Sequence, residues 1–319
     1  MMLLLKLVPD NTNIDFIRWR VPAMALSLLL MLASVGLIAT KGFNLGIDFV
    51  GGQMIRAHLS QPAPVDDLRE RIDALGLGES TIQQFGNPQE VSIRLPLPPG
   101  DEAAANLAAE KVKQAVLEGY PGTRFDAVET VSGKVSGELF RTGAWAIGLA
   151  MLGIALYIWL RFEWQFGVGA LFALLHDVVL TLGFFSLTQL EFNLNVVAAV
   201  LTIVGYSLND TIVVYDRVRE NLRKFRKMDI HALLNLTVNE TLSRTMVTSL
   251  SMIIALAVLL ALGPDTIFGL TAAILLGIVI GTFSSVYVAN PILIWLNVGP
   301  DSFVLPDAKG AAERVGPGA

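Results

Sequence analysis

Six stretches of the chain, near 21–40, 144–160, 166–188, 194–215, 246–262 and 267–296, are almost wholly apolar. Each approaches or exceeds the ~20 residues that carry a helix across a bilayer core of about 30 Å. Lipid offers no partner for a backbone N–H or C=O, so such stretches must fold as helices that satisfy their own backbone. Only 16% of the 319 residues are charged, against 53% hydrophobic. Soluble chains carry about a quarter charged residues, so an ordinary soluble enzyme is excluded. Net charge is −5, which leaves no basic footprint for nucleic acid, and no nucleic-acid partner is expected. Cysteine is absent, ruling out disulfides, thiolate metal sites and cysteine nucleophiles. No P-loop sequence and no catalytic or cofactor motif is present, so no catalytic residue, cofactor or metal is expected.

Charge sets the expected topology. Lys6, Arg18 and Arg20 precede the first stretch, and Arg217, Arg219, Arg223, Lys224, Arg226, Lys227 and Arg244 crowd the connection 216–245. The positive-inside rule puts both on the cytoplasmic side. The first apolar run is too long for a signal-peptide core and is read as a retained anchor. The expected organisation is a cytoplasmic N-terminus (1–20), a first span (21–40), an outer domain with its linkers (41–143), a five-span bundle (144–296) with the basic connection 216–245, and a disordered cytoplasmic tail (297–319).

Half of the 28 acidic residues lie between Asp48 and Glu138, marking the outer block as an aqueous domain. Strands are expected at 54–59, 80–85, 90–95 and 124–131. Helices are expected at 64–75 and from an Asp101 cap to Gly119, with a turn at Gly86-Asn87-Pro88. The order β-α-β-β-α-β is the ferredoxin-like one.

Ionisable residues inside spans are costly and mark function. Asp210 lies ~10 Å of helix rise inside Arg217, and Thr202, Tyr206, Asn209 and Asp210 form one polar face, expected to point into the bundle. Asp210 is read as a carboxylate that takes up and releases a proton, with a permanently held charge acting as helix glue as the other reading. His176 and Asp177 lie ~17 Å from Phe166 along the third span. Neighbours on a helix diverge by about 100°, so the two are expected to serve different directions, as a secondary relay or as packing. Arg244 opens the fifth span, where it either snorkels to the interface or reaches Asp210 as a charge switch. Gly277 and Gly281, continued by Ser284 and Ser285, predict a close helix contact.

Seven runs together resemble a known family: GIDFVGG at 46–52, RFEW at 161–164, LHDV at 175–178, VGYSLNDTIVV at 204–214, DRVREN at 216–221, TLSRT at 241–245 and SSVYVA at 284–289. They are similar to the SecF family, the smaller membrane subunits of bacterial SecDF protein-export complexes, related to the resistance-nodulation-division (RND) exporters. The run VSGKVSG at 131–137 departs from the family's Val-Gly-Pro-x-Val-Gly pattern.

The resemblance implies an α-helical polytopic protein of the bacterial inner membrane, a six-span RND-like half-bundle with a small periplasmic α+β domain between spans one and two. It implies SecD as heteromeric partner, the SecYEG channel, YajC and YidC nearby, a preprotein substrate and surrounding membrane lipid. It also implies export driven by the proton-motive force, with Asp210 as the proton site and Arg244 as its arginine, and Asp48, Phe49, Gly51 and Gly52 as family-motif structural residues. Three other readings remain: a self-contained small-molecule exporter, an intramembrane enzyme built on His176 and Asp177, and a non-catalytic assembly subunit.

Overall fold

The computed structural model describes residues 12–85, 87–100, 102–299 and 302. Six helical segments are long and apolar enough to cross a membrane: Ile17–Lys41, Gly133–Arg161, Trp164–Thr188, Leu194–Lys224, Ile230–Leu262 and Phe268–Trp295. Between the first two lies a small mixed domain.

The first long helix, α1 (Arg20–Lys41), leads through a four-residue helical turn, α2 (Ile47–Val50), into strand β1 (Gly52–His58). Then follow α3 (Val65–Asp73), β2 (Thr81–Phe85), β3 (Asn87–Leu95) and α4 (Glu102–Gly119), and the short strands β4 (Arg124–Phe125) and β5 (Glu129–Val131). The sheet order is β2-β3-β1-β4, with β5 also on β1 and every pairing antiparallel. Alternation turns Ile55, Ala57, Val91 and Ile93 toward Leu68 and Ile72 of α3 and Val112 and Val116 of α4, giving the domain its own apolar core.

The expected single strand 124–131 is two strands. Residues 124–125 pair with His58 and Ala57, and 129–131 with Gly52–Met54, so the edge of β1 is covered in two pieces. Gly86 of the turn expected at 86–88 lies outside the described residues; on its two sides Phe85 and Asn87 pair as the ends of β2 and β3. The proposed cap Asp101 and the tail beyond 302 lie outside the described residues.

Gly51 and Gly52 sit where the chain from α1 enters the sheet. Both have positive φ, 80° and 119°, and a Cβ on Gly52 would strike the Leu95 carbonyl oxygen. Gly52→Ala therefore combines backbone strain with a backbone collision and should cost at least about 2 kcal/mol. A lowered midpoint for loss of protease resistance of the 41–131 block, with the membrane helices unaffected, is the expected outcome.

The bundle consists of α1, α5 (Gly133–Arg161), α6 (Trp164–Thr188), α7 (Leu194–Lys224), α8 (Ile230–Leu262), α9 (Phe268–Ser284) and α10 (Asn290–Trp295). Helices α6, α7 and α9 form its centre, and α1, α5 and α8 are mostly exposed. Three expectations change. The linker 132–143 is already helix, opened by Ser132, whose Oγ accepts from Val135 N at 3.4 Å.

The long connection 216–245 is a helical hairpin, because α7 and α8 extend past their apolar stretches and turn only at 225–229. Polar pairs hold the extension: Arg217 to Glu240 at 2.8 Å, and Asn221 to Thr237 at 3.0 Å. Asp229 caps α8 by accepting from His231 N and Ala232 N.

The last span is not one continuous α-helix. Pro291 brings no N–H and crowds the preceding turn, and residues Ser285–Ala289 widen into a π-helical turn. Buried Asn290 donates to the Ser285 carbonyl at 3.0 Å, and buried Tyr215 donates to the Ala289 carbonyl at 2.9 Å.

Candidate functional site

At the centre of the bundle is Asp177, fully buried on α6. Its Oδ2 accepts from Ser207 of α7 and from Ser284 of α9, the latter at 2.8 Å, and its Oδ1 lies 2.8 Å from His176 Nδ1. Small residues make this convergence possible. A Cβ on Gly277 would run into Ile203 and one on Gly281 would crowd Ser207, so α9 packs against α7 along the expected glycine stripe.

Contrary to the expected divergence, the His176 ring folds back onto its neighbour's carboxylate. With a proton on Nδ1, three donors surround the Asp177 carboxylate and join α6, α7 and α9 through it. Ser207 lies within the 204–214 run, but a serine in an apolar helix is commonplace and nothing in its neighbours marks it as a partner of Asp177.

Asp210 is different. It is 3% exposed, yet among the described residues its Oδ2 has no hydrogen-bond partner. One turn toward the domain, Tyr206 donates to Ser249 of α8 at 3.3 Å, and Ser249 lies 2.8 Å from Thr282 of α9. The Thr282 hydroxyl proton is committed to the Ile278 carbonyl at 2.8 Å. Ser249 must therefore donate to Thr282, which gives a directional hydroxyl chain from Tyr206 across three helices.

Because α7 and α8 are antiparallel, the Tyr206–Ser249 contact places Thr245 opposite Asp210, with Arg244 beside it. Arg244 forms no ion pair within 4.0 Å of Asp210 among the described residues, and its charge reaches the carboxylate through space. Asn209 and Thr202 are exposed on the flank of α7, as is Arg244 on α8. The expected polar face is therefore split: Asp210 and Tyr206 turn into the bundle, Tyr206 through Ser249, while Thr202 and Asn209 lie on the exposed flank of α7.

Sixteen residues from Asp210, ~24 Å along the helix, the N-terminus of α7 meets the segment leading to the soluble domain. Asp48 Oδ2 accepts from Leu194 N at 2.9 Å, a carboxylate on the positive end of the helix dipole. Gly46 N donates to Phe192 O at 2.9 Å and Phe192 N to Asn44 O at 2.8 Å. Phe49 packs edge-on to Phe140 of α5 and tilted against Phe192.

The domain joins this clasp through Gln83 of β2, which donates to Gln189 O at 3.0 Å, and through Arg94 of β3, which donates to Leu45 O and to Asn44 Oδ1. Burial pulls the Arg94 guanidinium below its ordinary range. Glu191, tucked against Gly46, is pushed up by burial, and Arg94 and Arg56 partly oppose this. Among the described residues no group of three His, Cys, Asp or Glu could hold a metal.

The family model "Protein export membrane protein SecD/SecF, C-terminal" matches residues 111–299, and "SecD/SecF GG Motif" matches 36–63. The protein translocase subunit SecF of Cereibacter sphaeroides is 45% identical over 301 residues, covering 92% of this chain and 93% of the relative. This chain belongs to the SecF family. The SecF of Desulfurispirillum indicum is 44% identical over 287 residues, 88% of this chain and 91% of the relative. The crystal structure of SecDF from Thermus thermophilus superimposes with a TM-score of 0.82 at 35% identity, covering 93% of this chain.

This SecF-family chain spans about 40% of that SecDF chain. It is a multi-pass membrane protein. Its family motif at 46–52 is the clasp just described: Asp48 caps α7, Phe49 fills the aromatic contact, and Gly51 and Gly52 turn the chain into the sheet.

Proposed function

We propose that this chain is the SecF subunit of a bacterial protein-export complex, and that with SecD it uses the proton-motive force to promote preprotein movement through SecYEG. The observation that carries the reading is Asp210: a buried carboxylate with an unpartnered oxygen, beside Arg244, on a helix clasped at its other end by the segment entering the soluble domain. Protonation of Asp210 removes a buried charge and weakens its attraction to Arg244, so the packing of α7 against α8 shifts. The Asp48 clasp carries that shift to the domain, which engages the preprotein. The protein is a transport subunit and not an enzyme.

The basic far ends of the spans support cytoplasmic termini and a periplasmic domain, and the SecF reading carries with it the inner membrane. A β-α-β-β-α-β order and an antiparallel sheet ordered β4-β1-β3-β2 support a ferredoxin-like domain. Six spans and the 40% coverage of SecDF support an RND-like half-bundle. Asparagine and arginine side chains are costly against hydrocarbon, so exposed Asn209, Thr202 and Arg244 are read as the face that SecD covers.

The chain has no cysteine, so single cysteines report without background. A cysteine at Thr202 or Asn209 should cross-link to SecD in the isolated complex, and one at exposed Leu152 on α5 should not. Cross-linking from Leu152 alone would place SecD on the wrong side.

A further inference from the structure

At the end of the bundle opposite the soluble domain, residues 14–17 lie against the first half of α8, and neither the proton site nor the Asp48 clasp uses them. Two asparagines of α8, one helical turn apart, hold this segment. Asn239 meets both backbone groups of Ile14, its Oδ1 accepting from Ile14 N and its Nδ2 donating to Ile14 O, each at 2.9 Å. Asn235 Oδ1 accepts from Ile17 N at 2.9 Å, and its Nδ2 donates to Asp15 Oδ1 at 2.6 Å. A carboxamide offers a donor and an acceptor side by side, which neither aspartate nor leucine does.

The segment is itself anchored. Ile17 is 2% exposed and belongs to the same apolar cluster as Leu233 and Leu234 of α8. Phe16 lies edge-on to Tyr287, their ring centroids 6.3 Å apart. Asp15 Oδ1 also accepts from Arg18 N at 3.1 Å, fixing the entry into α1. α8 is thus braced against a fixed point.

The direction of this grip links it to Arg244. With about 100° between successive residues, Thr237 and Glu240 stand within about 40° of Arg244 around α8. These two meet Asn221 and Arg217 of α7. By the same count Asn235 stands about 180° and Asn239 about 140° from Arg244, on the opposite side of the helix. α7 therefore holds α8 from the front and residues 14–17 hold it from the back. Front contacts alone lie along one face, about which a helix can roll, and the back grip removes that freedom.

We propose that Asn235 and Asn239 are positioning residues for the proton site: they keep α8 from rolling off α7 and so keep Arg244 turned toward Asp210. The inference rests on the reading of Asp210 and Arg244 given above. Because Arg244 acts on Asp210 through space, the orientation of α8 has to hold the two in register.

Export per assembled complex with SecD, measured with and without a gradient, tests the grip. The net effect of one hydrogen bond shifts a two-state equilibrium about fivefold, so Asn235→Ala with Asn239→Ala should cut gradient stimulation at least about fivefold. The rate without a gradient should stay unchanged. A segment that served folding alone would instead lower the yield of complex and leave export per complex at the parent level. The chain has no cysteine, so Asp15→Cys with Asn235→Cys in the Asn239→Ala chain supplies a tie that oxidation closes and reduction opens. Stimulation should be low in the reduced protein and return on oxidation. Full stimulation in the double alanine variant, no disulfide under oxidant, or stimulation indifferent to a closed disulfide would overturn the grip. Asp210→Asn measured in parallel separates the two readings. If it abolishes stimulation and the alanine pair does not, the grip alone is wrong; if stimulation survives it, the reading of Asp210 falls and the role of the grip with it.

Discussion

Asp210→Asn is expected to leave the complex with SecD assembled while reducing gradient-stimulated export to the rate seen without a gradient. Asparagine keeps the size and polarity of the side chain and removes only the exchangeable charge. Because one carboxylate oxygen lacks a partner, losing the charge costs no hydrogen bond and relieves the desolvation of an ionised group. The bundle should unfold no more easily than the parent.

The functional loss should be large. A proton falling through 100 mV releases about 2.3 kcal/mol, enough to bias a two-state helix arrangement about fortyfold. Translocation into inverted membrane vesicles, with and without an imposed gradient, reads the result. An assembly-only subunit would show no change in either arm.

The opposite signature is expected at Asp177. Its carboxylate serves Ser207, Ser284 and His176 together. Asp177→Ala strands three donors in a fully buried site. Bonds to a charged group contribute about 1.5–3 kcal/mol each when buried, but unfolded segments in lipid find substitute partners and the net is smaller. A loss of about 2–4 kcal/mol is the expected balance, visible as a lower unfolding midpoint in micelles.

Asp177→Asn should fall between, because the amide presents one acceptor where the carboxylate presents two. Export per folded molecule should persist in Asp177→Asn. If that variant instead kept full stability and lost export, Asp177 would be part of the proton path rather than the joint that holds α6, α7 and α9.

The sequence exposed the parts of this arrangement that depend on periodicity and local cost. Six apolar runs, the β-α-β-β-α-β order, and Asp210 as a carboxylate at membrane depth all follow from one residue type or one spacing. Other features depended on contacts between distant segments. Arg94, Gln83, Gln189 and Glu191 meet at the domain junction from positions about 100 residues apart, and nothing in their neighbours announces it.

Helix ends beyond the apolar stretches were also hidden, because 133–143 and 216–245 are polar and hydropathy falls silent where the helix leaves the bilayer. Of the face expected to point inward, Thr202 and Asn209 lie exposed while Tyr206 and Asp210 turn in, a split that the spacing did not show. A polar face inside a span must be covered, but the sequence of one chain does not say by which chain.

The most direct measurement is proton flux itself. The chain and SecD, co-reconstituted in liposomes containing an entrapped pH-sensitive dye, should admit protons down an imposed gradient when translocating a preprotein through SecYEG. Asp210→Asn should abolish that flux while the complex remains intact. Undiminished flux in the Asp210→Asn complex would contradict the assignment of this carboxylate as the proton carrier.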